Sequence, residues 1–199
     1  MNPLEKKWFY KGFRTILRNR MGNEKADRIW ADAGRKYEGI LLADPELKRH
    51  PGAMVLPAAA LFFVLMENGE NAENLLNAYG DLMGKRFAGI VHRITSIPGI
   101  DKLLWANIDR IMDKMSGETL GYKRLIVSEP PSMYGVDILS CPYHELAKAL
   151  GAEKAVLCIC HMDKAYMKGF HHIRYERTKA VSEGADCCDY RLRFDPQKR

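Results

Sequence analysis

The sequence predicts an α+β protein: a helical N-terminal half packed with a small, mostly antiparallel sheet and two helices in the C-terminal half. Three observations predict it. Apolar residues recur at helical spacing through roughly the first 116 residues. The texture changes at Ser116-Gly117, after which short β-type runs alternate with turn residues. With 199 residues, 47% apolar and 28% charged, the chain has an ordinary globular balance and enough length to bury a core. The expectation is one domain over 1–199, mainly helical over 1–116 and α+β over 117–199.

Each helix has a local reason. Residues 3–20 read as one amphipathic helix carrying Trp8, Phe9, Phe13, Ile16 and Leu17. Asn23 can cap a second, in which Ala26, Ile29, Trp30, Ala33 and Tyr37 follow the 3.6 period. His50-Pro51-Gly52 is a break, and Pro57 suits the first turn of a third helix ending near Met66. Asn71 precedes a long helix through Leu75, Tyr79, Leu82, Phe87, Ile90, Val91 and Ile94, stopped by Pro98-Gly99. Asp101 can cap one more, with Leu104, Ile108, Ile111, Met112 and Met115.

In the C-terminal part, residues 122–128 and 136–140 have strand character, with Pro130-Pro131 closing the first. A helix follows from Pro142 to a stop at Gly151. Residues 155–160 suit a helix or a buried strand. Helix is preferred because Val156, Ile159, Cys160, Asp163 and Met167 then share a face. Residues 173–180 and 186–194 read as a hairpin across Ser182-Glu183-Gly184.

Charge and cysteine content exclude some functions. The formal charge is +6, with the excess at both ends: Lys6, Lys7, Lys11, Arg14, Arg18 and Arg20 face only Glu5 in the first twenty residues. Without zinc-finger spacing, an RNP-like aromatic motif or a helix-turn-helix, no nucleic-acid partner is expected, and these charges read as solvated helix faces. A small anionic substrate would suit a basic protein. The longest apolar stretch, 54–66, contains Pro57 and falls short of the ~20 residues a bilayer span needs, so no membrane partner is expected. Five cysteines and no secretory signal point to reduced thiols in the cytoplasm. Apolar faces on the N-terminal helices would suit a homodimer.

The chemistry concentrates in the last third. Cys141 precedes Pro142 and so falls near a helix N-cap, where free N–H groups and the helix dipole can favour a thiolate; equally, it can be a small residue closing a strand. Cys160 and Asp163, three apart on one helix face, can point into one cavity, with Asp163 as a proton shuttle or a surface partner of Lys164 or Lys168. In Cys187-Cys188-Asp189, strand alternation lets one cysteine face the core and sends Asp189 with the other. Cys141, His144, Cys158, Cys160, His161, His171, His172, Cys187 and Cys188 are ligand types, but no C-x-x-C knuckles or zinc-module spacing appear, so no metal is expected. His161, His171 and His172 read as surface or loop residues. Without a P-loop, dinucleotide fingerprint or G-x-S-x-G elbow, no cofactor is expected either.

Cys141-Pro142-Tyr143-His144, Cys160-His161-Met162-Asp163, Arg177-Thr178 and the run from Gly184 to Arg191 together resemble the L-2-amino-thiazoline-4-carboxylic acid hydrolase family. Its signature is a cysteine before a short helix, a C-x-x-D on the next segment, and a terminal glycine, cysteine and aspartate followed by an aromatic. These match Cys141, Cys160 with Asp163, and Gly184 with Cys188, Asp189 and Tyr190; Tyr190 stands where phenylalanine is expected, and Cys187 is an extra thiol. The resemblance implies hydrolytic opening of a small cyclic amidine bearing a carboxylate. Cys141 would be the nucleophile or an electrostatic aid and Asp163 the proton shuttle. Cys160, Cys188 and Asp189 would line the pocket, and Arg177 would bind the substrate carboxylate. The alternative is a small-molecule-binding or thiol-based sensor domain without catalysis.

Overall fold

The computed structural model describes residues 1–198. Its helices are α1 (Phe13–Met21), α2 (Asn23–Ala43), α3 (Gly52–Glu67), α4 (Ala72–Thr95), α5 (Ile100–Ala106), α6 (Ile108–Ser116), α7 (Pro142–Ala149) and α8 (Leu157–Tyr166). Its strands are β1 (Lys123–Ile126), β2 (Met133–Ser140), β3 (Ile173–Glu176) and β4 (Cys188–Phe194). The fold is α+β, as the sequence predicts. Residues 1–80 and 145–159 form one compact unit; residues 81–144 and 160 onward form a second.

The first unit is built on α2 and α3. The expected face of α2 (Ala26, Ile29, Trp30, Ala33, Tyr37) is buried. The third helix differs from expectation: it begins at Gly52, so Pro57 lies inside it. A Cβ at position 52 would sit 1.9 Å from the Leu47 carbonyl oxygen, so this close approach sets the helix start. The expected helix over 3–20 is also broken, into a 3-10 turn (Pro3–Lys6) and α1. Between them Phe9 and Tyr10 are both buried, and the Tyr10 hydroxyl donates to the Met54 carbonyl at 2.8 Å. Asn71 does cap α4, accepting the Asn74 N–H at 3.0 Å.

The second unit holds the sheet. Among the described residues its order is β1-β2-β4-β3, with antiparallel neighbours throughout. Register pairs Ile138 with Cys188, Val136 with Tyr190 and Tyr134 with Leu192. These side chains therefore share a face, which packs with Ile173, Tyr175, Met112 and Met167 into one apolar cluster. The helix expected after Asp101 is split at Asn107, whose side chain donates to the Leu103 carbonyl at 2.9 Å and competes with the helix backbone. Gly99 precedes α5 instead of Asp101, which is buried. The ambiguous run 155–160 resolves as a 3-10 turn leading into α8. A Cβ on Gly84 of α4 would lie 2.5 Å from both the Met162 carbonyl oxygen and the Ala165 Cβ, so only glycine lets α4 approach this closely. Among the described residues no helix is long and apolar enough to cross a membrane.

Candidate active site

The hairpin places Arg177. β3 ends at Glu176 because the Asp189 carboxylate takes the next backbone donors: the Thr178 N–H at 2.8 Å, the Thr178 hydroxyl at 2.6 Å and the Lys179 N–H at 2.6 Å. Burial works against the Asp189 charge, but these bonds outweigh it and hold the carboxyl below the usual range. Asp189 therefore does not line the pocket expected of it. Strand alternation turns it away from Cys188, and it fastens the backbone directly after Arg177.

Arg177 itself is 8% exposed and turns inward. Its Nη1 donates to Asp163 Oδ2 at 3.3 Å and to the Tyr190 hydroxyl at 3.0 Å, and its Nη2 to the Cys160 carbonyl at 3.3 Å. The Tyr190 hydroxyl in turn donates to Asp163 Oδ2 at 2.6 Å. Both bonds to Asp163 fall on Oδ2, and the carboxylate side chain remains 24% exposed. Burial raises the Asp163 pKa above the ordinary carboxylate value, although the Tyr190 bond and the Arg177 charge act against it.

The thiols stand around this pair. The Cys160 thiol shares a hydrogen bond with the Ser182 hydroxyl at 3.2 Å, and burial pushes its pKa up to about 12. Cys141 sits at the start of α7, where backbone N–H groups of His144 and Tyr143 stabilise its thiolate form as the N-cap position implies. Burial is nevertheless the larger effect, and the thiol lies above its usual value. Charge on Asp163 adds to the rise at both Cys141 and Cys160, so the three groups feel one another. Cys188 is buried in the apolar cluster and its sulfur accepts the Val181 N–H at 3.2 Å.

Sequence reasoning missed the phenols. Burial raises the pKa of Tyr122, Tyr143, Tyr166, Tyr175 and Tyr190, and the Asp163 charge contributes at each. Tyr122 and Tyr143 bond to each other, and the buried Tyr175 hydroxyl has no hydrogen-bond partner among the described residues. The one signal for such a ring is the alternation that puts Tyr175 and Tyr190 on the inner sheet face; Tyr122 and Tyr166 carry none. A cavity of about 520 Å³ is lined by Cys160 and Arg177 of this group, with Lys85, Lys164 and Lys168 against Asp81 and Glu183; Asp163 and Cys141 are not among its lining residues. The cavity can hold a small anion against Arg177 and the lysines, with Asp163 joined to it through Arg177.

No curated protein matches the chain by sequence. Among solved structures, it is similar to an H-NOX protein mutant from K. algicida in its Fe(II) unliganded form, at 10% identity and a TM-score of 0.32, over 95% of this chain and 96% of that one; a likeness this slight carries no argument. The family model described as L-2-amino-thiazoline-4-carboxylic acid hydrolase matches residues 50–192, a span that includes Cys141, Cys160, Asp163, Arg177 and Cys188. On that match over most of its length, the chain belongs to the L-2-amino-thiazoline-4-carboxylic acid hydrolase family.

Proposed function

We propose that this protein is an enzyme that hydrolyses a small cyclic amidine carrying a carboxylate, of the aminothiazoline-carboxylate type. The observation that carries the reading is the Asp163–Arg177–Tyr190 constellation beside the Cys160 and Cys141 thiols. Family membership supplies the reaction class.

The chemistry follows from the proton affinities. Attack at the ring carbon between nitrogen and sulfur needs a deprotonated nucleophile. The Cys141 thiol lies above its usual value, so it must lose its proton to a base as it attacks. Asp163 Oδ1, which neither Arg177 nor Tyr190 occupies, is that base, and burial makes it a stronger one. The new sulfur–carbon bond forms, the ring carbon–sulfur bond breaks, and Asp163 returns the proton to the departing ring sulfur. Water, deprotonated by Asp163, then displaces Cys141, whose leaving thiolate takes that proton back from Asp163, and a carbamoyl group is left on the opened product. Arg177, with Lys85, Lys164 and Lys168 around the cavity, meets the substrate carboxylate. Cys160 and Cys188 shape the pocket wall.

The test is turnover by the reduced protein of 2-aminothiazoline-4-carboxylate, read by the thiol its ring opening releases, and of related lactams, read by the mass gain of one water in the opened product. Wild type should turn over at least one of them, and Asp163→Asn and Cys141→Ala should each lose ~10²-fold or more. Wild-type rates in both variants would overturn the mechanism. Saturable binding of every compound without product would favour a ligand-binding or thiol-sensing domain.

A further inference from the structure

We propose a divalent transition-metal site formed by Asp101, His171 and His172, at the opposite end of the β3–β4 hairpin from Arg177. One carboxylate oxygen of Asp101 and one ring nitrogen from each histidine lie within 4.8 Å of one another. Asp101 is 5% exposed and both histidines are half-buried. The imidazole rings stack with centroids 3.7 Å apart, and His172 Nδ1 meets Asp101 Oδ2 at 2.7 Å. Two imidazoles with one carboxylate suit zinc and its neighbours in the transition series, not the oxygen-preferring magnesium or calcium.

A second observation points to a ligand. His171 Nδ1 is buried with no hydrogen-bond partner among the described residues, whereas buried polar atoms are almost always satisfied. An imidazole lone pair that no hydrogen-bond donor meets can be donated to a bound metal ion.

The surrounding backbone holds the set in place. His172 has φ 56, the one non-glycine at positive φ among the described residues. The Asp195 N–H donates to its carbonyl at 2.7 Å, and its own N–H donates to the Lys198 carbonyl at 3.3 Å. The His171 N–H donates to the Thr95 hydroxyl at 2.9 Å, and that hydroxyl donates to the Val91 carbonyl at 2.8 Å. Three segments distant in sequence thus converge to fix two adjacent imidazoles against one buried carboxylate. The exposed His92 ring stands 5.6 Å from that of His171, within reach as a further ligand. None of these residues takes part in the hydrolysis proposed above, so the two readings stand or fall separately.

The experiment is calorimetric titration of the reduced full-length protein with zinc, paired with visible absorption of its cobalt complex. Wild type should bind one equivalent, and the cobalt complex should show ligand-field bands without a thiolate charge-transfer band. His171→Ala and Asp101→Asn should each weaken binding by at least the ~10–100-fold that losing even an outer-shell partner costs, while Cys160→Ser leaves it unchanged. Because His171 Nδ1 has no hydrogen-bond partner among the described residues, His171→Ala is expected to keep its thermal unfolding transition and so carries the test if Asp101→Asn fails to fold. No saturable binding to wild type would overturn the site. So would full-strength binding to folded His171→Ala, or binding that disappears in Cys160→Ser with a thiolate band in the wild type.

Discussion

Asp163 shows how burial can reverse what composition suggests. An aspartate followed by Lys164 looks like a solvated surface carboxylate. In the structure it sits beside Arg177 and Tyr190 with its proton affinity raised by burial. A folded pKa above the unfolded value has two consequences. The protein holds this proton more firmly than the unfolded chain does, so Asp163's contribution to stability declines as pH rises from its unfolded pKa to its folded one. In the proposed mechanism Asp163, acting as base, also sets an acid limb: kcat/KM should rise with pH through an apparent pKa above the usual carboxylate range, and Asp163→Asn should erase that limb. A rate that climbs only through the alkaline range would instead mark a free Cys141 thiolate as the reacting species, because that thiol titrates above its ordinary value. At this scale the sequence named Cys141, Cys160, Asp163, Arg177 and Cys188, and all five fall in the second unit. It misassigned Asp189, although the alternation that places Cys188 inward already turns Asp189 outward. The tyrosines were not legible, because a phenol in an amphipathic element looks the same whether it fills the core or faces a site.

Among the elements, close backbone approach decides more than propensity does. The half of α8 that carries Cys160 and Asp163 rests against Gly84 of α4, with no space for a side chain there. Gly84→Val should therefore lower unfolding free energy by ~1–3 kcal/mol or more, since overpacking a filled contact displaces its neighbours. In the proposed mechanism it should also cut turnover, because the segment it pushes bears Asp163. Gly39→Ala in α2 is the control. A Cβ there meets nothing within 4 Å, so removing a glycine from a helix interior should add up to ~1 kcal/mol. Urea melts of both variants, read alongside turnover, check the pair. Element identity was legible wherever periodicity was strong, as in α2, α4, α7 and the hairpin. Boundaries were not: α3 starts at Gly52 because of its contact with Leu47, and β3 ends at Glu176 because Asp189 takes the donors beyond it. Neither contact partner is a sequence neighbour of the boundary in any pattern that propensity reads.

For the molecule as a whole, the formal charge of +6 gains meaning from where it gathers. Lys85, Lys164 and Lys168 line the cavity beside Arg177, with Asp81 and Glu183 as the opposing acids. A carboxylate substrate should be drawn to that mouth over a distance comparable with the ~10 Å Debye length at ~0.1 M salt. Raising salt to ~0.5 M should then increase KM several-fold with little change in kcat, and Lys164→Gln should flatten the dependence; a salt-independent KM would remove the lysines from substrate capture. By itself the sequence determined the α+β class, most of the elements and the family, because periodicity, turn residues and short motifs are properties of neighbouring positions. Only the tertiary structure decided that Arg177 turns inward to Asp163, that Asp189 anchors the backbone beside it, and that Asp101 lies against His172 from 71 positions away. Those pairings depend on strand register and helix packing, which long-range burial selects and local sequence does not encode.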